Sequence, residues 1–279
     1  MKKRDTERYT EFSRKIKEEC NLQDLQGICS NWDGTYTIAV EAIDMENDPV
    51  EDYVKLFNIE TMCAKSRFAE SLGAYLSLLL HKKEKDEDKI YVKTFSLNAD
   101  HQSLHLTYDK ALSEQYFINW WKKRQPRVQK KKYRESMQQI LAESYFDKLF
   151  EKNQTSWSGN IDAFTTERDE QGKIQITSLI ECRYTSKGSV SCYDPNDYYK
   201  NNGGDFHTWN GLWRIKRKLD IPLYLMTFSR DMKFREELGV TEIIDFNGEN
   251  GVIYKESVKP GMRVMHSSAE LLEWMRLQR

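Results

Sequence analysis

The run Lys-Ile-Gln-Ile-Thr-Ser-Leu-Ile-Glu-Cys-Arg-Tyr, from Lys173 to Tyr184, restricts the fold more than any other stretch of the chain. It is too β-branched for a helix and too apolar for a loop, so it reads as a strand of a buried sheet. Asp169-Glu170-Gln171-Gly172 just before it is a turn signal, and Asn160–Glu167 before that is a second strand. The pair is a hairpin. Upstream, Met137, Ile140, Leu141, Tyr145, Leu149 and Phe150 form the apolar stripe of a helix over Lys131–Lys152. Downstream, a helix is predicted over Phe206–Leu219 and an apolar strand from Leu223 to Phe228, opened by Pro222. A short helix near Met232–Leu238 and strands near Thr241–Phe246 and Gly251–Tyr254 follow. Ser267-x-x-Glu270 is a capping-box signature for a last helix, Leu271–Leu277. Helix, hairpin, helix, strand, helix, strand is the order of a mixed α/β domain whose helices flank one sheet.

The first half reads differently. Residues 1–20 form a charged helix, and Trp32–Val40 a short strand. Ile59–His81 is predicted as one long helix, from Met62, Phe68, Leu72, Tyr75, Leu76 and Leu79. Ile90–Leu97 and Ser103–Tyr108 are short strands or irregular. Leu112–Lys123 is a helix carrying Tyr116, Phe117, Trp120 and Trp121. Residues 1–130 are thus expected to be a mainly helical region for recognition or interaction, and 131–279 a second domain. No internal repeat and no low-complexity linker is visible.

Composition excludes some classes. With 39% hydrophobic and 31% charged residues, the 279-residue chain is globular rather than disordered. The longest uncharged stretch, Ser71–Leu80, is about half of the ~20 residues a membrane-spanning helix needs. The start, Met1-Lys2-Lys3-Arg4-Asp5, lacks the apolar core of a signal peptide. The five cysteines are scattered without metal-ligand spacing, as expected of reduced thiols in a cytoplasmic protein. His101 and His105 are four apart, but no further ligand accompanies them, so they read as surface histidines.

The net charge of −1 hides an uneven distribution. Lys122, Lys123, Arg124, Arg127, Lys130, Lys131, Lys132 and Arg134 lie in one run without an acid, just after Trp120 and Trp121. Such a run neutralises phosphates and gives salt-dependent, sequence-independent binding to nucleic acid. The plainer reading is a solvated helix face.

Side chains alternate along a strand, so Glu181 and Arg183 project together from the end of the second strand. A turn centred on 170–171 pairs Asp162 with a residue near 179, about one pleat from Glu181. Two carboxylates beside a cation suit a hard divalent ion, since Mg²⁺ is held by one or two carboxylates plus water and phosphate. Such an ion activates water and stabilises the charge of phosphodiester attack. A fixed cation can stabilise the same charge. The alternative is a surface salt bridge at a strand end.

This segment, over roughly residues 133–230, resembles the PD-(D/E)XK nuclease superfamily, the restriction-endonuclease-like fold. The family motif is an acid at the start of one strand, then a second acid, a variable residue and a lysine at the end of the next. Asp162 matches the first acid and Glu181-Cys182-Arg183 the second part. Glu143 matches the acidic residue that many members carry on the upstream helix. The family proline is replaced by Ile161, and the lysine by Arg183, which cannot accept a proton at any working pH. Lys187, of the same parity, is the other candidate for the lysine place. The resemblance implies a restriction-endonuclease-like mixed sheet over 131–279. It also implies Mg²⁺ (or Mn²⁺) on Asp162 and Glu181, Glu143 helping through water, and hydrolysis of nucleic acid, DNA rather than RNA. A restriction or defence endonuclease suits this build, and duplex cutting favours a homodimer. The rival expectation is a nuclease-like module that binds nucleic acid without cutting.

Overall fold

The computed structural model describes residues 10–45, 49–85, 87–126, 145–155, 159–186, 188–197, 206–247, 251–254 and 263–278. The chain is mixed α/β and divides into two compact units. The first is built chiefly from Asp24–Ile161 with Glu167–Gln175, the second from Thr6–Gln23, Asp162–Thr166 and Ile176–Arg279. Neither unit is one continuous piece of chain, so the boundary is not a single cut near residue 130.

The first unit holds a mixed sheet in the order β1 (Gln23–Ser30), β2 (Tyr36–Asp44), β3 (Tyr75–Glu84), β4 (Glu87–Leu97), β5 (Leu104–Ser113). β1 and β2 are antiparallel. Helix α1 (Glu11–Glu19) precedes β1 in the chain but belongs to the second unit. α2 (Ile59–Ser71) carries the chain over to β3, which runs parallel to β2. β4 and β5 then add antiparallel. α3 (Glu114–Lys122) and α4 (Tyr145–Lys152) complete the unit. Phe117, Trp121, Phe146 and Phe150 cover Val40, Leu79 and Val92.

This region is not mainly helical. The helix expected over 59–81 ends at Ser71, and Tyr75–Glu84 is a strand. Gly73 adopts φ 77°, the left-handed stop that closes many helices. The leucines beyond it are buried on both faces, as a strand with a parallel neighbour requires. Their spacing resembled a helical stripe only because both faces are apolar. Of the helix expected over 131–152, Tyr145–Lys152 is α4; the rest lies outside the described residues.

The second unit holds β10 (Gly251–Tyr254), β9 (Leu238–Asn247), β8 (Leu223–Ser229), β7 (Ile174–Thr185) and β6 (Gly159–Arg168), with β11 (Arg263–Met265) on β9. α5 (Phe206–Leu219) joins β7 to the parallel β8, and β9 follows antiparallel. α6 (Ser268–Leu277) starts at its predicted cap, with Glu270 N donating to Ser267 Oγ at 3.3 Å. No helix forms at 232–238, where the chain turns into β9. One face of the sheet, with Ala163, Ile180, Cys182, Tyr224, Met226 and Val240, is covered by Ile16 and Cys20 of α1 and by Leu271, Trp274 and Met275 of α6. The other face carries Leu179, Glu181 and Arg183 of β7, in register with Leu223, Leu225 and Thr227 of β8.

Candidate active site

The hairpin that presents the candidate residues is closed as the sequence predicts. Asp169 N donates to Lys173 O at 3.0 Å and Gly172 N to Asp169 O at 2.9 Å, with Gly172 at φ 77°. The Asp169 carboxylate accepts from Gln175 Nε2 and from the amides of Lys173 and Gln171. Those bonds, the one from Gln175 foremost, hold its carboxyl below the usual aspartate range.

At the other end of the hairpin the Asp162 carboxylate reaches the backbone next to Glu181. Asp162 Oδ2 accepts from the amide of Cys182, the residue after Glu181, at 3.1 Å. Both acids are buried, Asp162 at 2% exposure and Glu181 at 5%. Arg183 Nε stands 2.9 Å from Glu181 Oε1. Its guanidinium lies over the ring of Trp209 on α5, 5.6 Å from the centroid. Glu181 is opposite Leu225, which is opposite Thr241; Arg183 is opposite Thr227. Paired residues share a face, so Glu181, Arg183, Thr227 and Thr241 line one surface, with Trp209 beside them.

Thr227 Oγ1, Thr241 Oγ1 and Trp209 Nε1 are buried with no hydrogen-bond partner among the described residues. Buried polar groups are normally satisfied, and oxygens of a polar ligand would satisfy these. Two buried carboxylates of adjacent strands are an adequate protein donor set for Mg²⁺, which takes its other ligands from water and phosphate. Among the described residues no group of three His, Cys, Asp or Glu is placed to hold a metal ion. Glu143 and Lys187 lie outside the described residues.

Lys17 is a neighbour that the sequence did not single out. Its ammonium, from α1, donates to the Asp162 carbonyl at 2.8 Å. The apolar positions Phe12, Ile16 and Cys20 dock α1 on the sheet. Nothing in the sequence distinguishes Lys17 from Arg14 or Lys15, because its contact is 145 residues away.

Comparison with the models of known protein families and with curated proteins finds no match to this chain.

Of the basic run, only Lys122, Lys123 and Arg124 are described; Arg127, Lys130, Lys131, Lys132 and Arg134 are not. Lys122 and Lys123 are exposed. Arg124 instead packs on Trp120, 4.1 Å from its ring centroid, and Nη1 donates to the Trp120 carbonyl at 3.1 Å. Burial pushes its guanidinium below the ordinary value. This arginine is a packing element of the first unit. His101 is likewise not a loose surface histidine: Nδ1 accepts from Ile174 N at 2.9 Å. No helix among the described residues is long and apolar enough to cross a membrane.

Proposed function

We propose that the second unit is a metal-dependent nuclease of the restriction-endonuclease-like type, hydrolysing phosphodiester bonds in DNA. The observation that carries this is the buried pair Asp162 and Glu181, joined through the Cys182 amide and followed by Arg183 on the same face. Burying two carboxylates costs several kcal/mol each unless they are compensated.

A bound Mg²⁺ would supply Lewis acidity and an activated water. Asp162 and Glu181 would hold it, with Glu143 helping through water. Arg183, fixed by Glu181 and by the Trp209 ring, offers permanent positive charge to the phosphate oxygens as charge develops on them. It takes up no proton, so deprotonation of the attacking water falls to Lys187, to solvent or to the phosphate itself. Lys122 and Lys123, with the basic residues that follow, would neutralise flanking phosphates. A restriction or defence role, with a second copy of the chain for a duplex break, is the biological setting this build suits.

One observation favours a second reading. Arg183 sits on the Glu181 carboxylate, where a metal would also have to bind. A protein that used the pair only as an internal ion pair would bind nucleic acid without cutting it. Incubating plasmid, single-stranded DNA and RNA with the wild type and with Glu181→Gln, in Mg²⁺, Mn²⁺ or EDTA, separates the two. Metal-dependent cutting that the substitution removes supports the nuclease. Salt-sensitive binding without cutting supports the binding module.

A further inference from the structure

The two units repeat one topology. In the first, hairpin β1–β2 is followed by α2, by β3 parallel to β2, and by antiparallel β4 and β5. In the second, hairpin β6–β7 is followed by α5, by β8 parallel to β7, and by antiparallel β9 and β10.

The match extends to single residues. Each crossover helix ends in a residue of positive φ, Gly73 at 77° and Asp220 at 52°. Five residues further on stand Leu78 and Leu225, and their partners in the parallel strands are Glu41 and Glu181. The next amide in each strand donates to a side chain of the hairpin partner. Ala42 N donates to Gln26 Oε1 at 2.8 Å, and Cys182 N donates to Asp162 Oδ2 at 3.1 Å. Gln26, Glu41 and Ile43 are therefore the counterparts of Asp162, Glu181 and Arg183.

The counterpart lacks this chemistry. An amide stands where the second unit has a carboxylate, and an isoleucine where it has a cation. Glu41, 3% exposed, is bound at 2.9 Å by the ammonium of Lys65, which also meets Asp24 at 3.0 Å. The carboxylate accepts from Gln26 N at 3.2 Å as well. Glu41 is thus closed off by a buried lysine.

We infer that the chain carries two copies of one fold, of which only the second keeps a working centre, so that one chain cuts one strand of a duplex per encounter. This rests on the nuclease reading of Asp162 and Glu181. The first unit then contributes binding surface and no second cut. A break through both strands needs a second chain or a second encounter.

The test follows supercoiled plasmid through time with full-length protein in Mg²⁺, for the wild type, Glu181→Gln, and the double substitution Glu41→Met with Lys65→Met. The wild type is expected to accumulate nicked circles first, with linear DNA only afterwards and rising with protein concentration. Glu181→Gln should lose about 100-fold or more, the scale of removing one group that stabilises transition-state charge. The double substitution should cut within about twofold of wild type, since it touches no group that meets substrate. Linear DNA appearing without a nicked intermediate at low protein concentration would overturn the inference. So would a double variant, folded by circular dichroism, that is as inactive as Glu181→Gln. Should that variant not fold, the order of the wild-type products decides. Undiminished cutting by Glu181→Gln instead removes the nuclease reading itself, and the inference with it.

Discussion

Arg183 Nε lies 2.9 Å from Glu181 Oε1, two residues back on the same strand, and the guanidinium rests on the ring of Trp209. The pair is intramolecular and enclosed, so it is already oriented before any substrate arrives. In the nuclease reading Arg183 acts when charge builds on the phosphate. Arg183→Met should lower kcat by about 100-fold while KM moves little. Arg183→Lys restores charge without the planar fork and should recover part of that loss. Single-turnover cleavage of a labelled duplex measures both. If kcat is unchanged in Arg183→Met, the arginine only balances Glu181.

Lys17 holds the Asp162 strand from the far end of the sequence. Its ammonium donates to the Asp162 carbonyl at 2.8 Å. Hydrogen bonds from charged donors contribute about 1.5–3 kcal/mol net, and less when half-buried. Lys17→Met should therefore cost about 1–2 kcal/mol in urea unfolding, with Lys17→Arg closer to wild type. Because the contact is to backbone, Lys17→Met should also lower kcat more than it raises KM. A loss of stability with cleavage unaffected would reduce Lys17 to a structural tie.

The hairpin, its turn, α5 and the cap of α6 were all readable in the sequence. Each is set by residues within about 20 positions of one another, where strand alternation and turn chemistry dominate. What was not readable depends on distant parts of the chain. Gly73 separates α2 from β3, but Leu76–Leu80 becomes a strand only because β2 and β4 flank it. Lys17 and Asp162 meet only because α1 docks in the second unit. The repeat of topology left no trace in the sequence, because only pairing direction, a helix stop and one glutamate per unit are shared.

Glu41 and Lys65 form a buried pair whose partners depend on each other, with side-chain exposures of 4% and 7%. Burial lifts the Glu41 carboxyl above the ordinary range, and Lys65 pulls it back. Burial works against the Lys65 ammonium, but Glu41 and Asp24 outweigh it and hold it above the ordinary lysine value. Lys65→Met leaves a buried carboxylate without its cation and should cost about 3–5 kcal/mol at pH 7. The sign with pH follows. A carboxyl raised in the folded state is neutral there at low pH, so the deficit should shrink toward pH 4 and grow as pH rises. Adding Glu41→Met should recover most of it. Urea unfolding at pH 7 and pH 4.5 checks all three statements.

Alkaline pH should destabilise the fold through three groups raised in the folded state. A hydrogen bond to Glu84, then burial, pushes the Tyr91 hydroxyl up to about 12. Burial, with Glu242, pushes Tyr224 up to about 12. Burial, with Glu19, pushes the Cys20 thiol up to about 11. Each group is raised above its unfolded value of 10.0, 10.0 or 9.0. Such a group adds stability that is complete below the unfolded value and disappears as pH rises through the folded one. The melting temperature should therefore hold to about pH 9 and fall steadily from there toward pH 12. Tyr224→Phe removes one of the three groups and should flatten part of the fall. Thermal melts followed by circular dichroism, with tyrosinate absorbance recorded alongside, test this. Tyrosinate forming in full at pH 10 with native dichroism intact would contradict it, since the tyrosines would then not be raised in the folded protein.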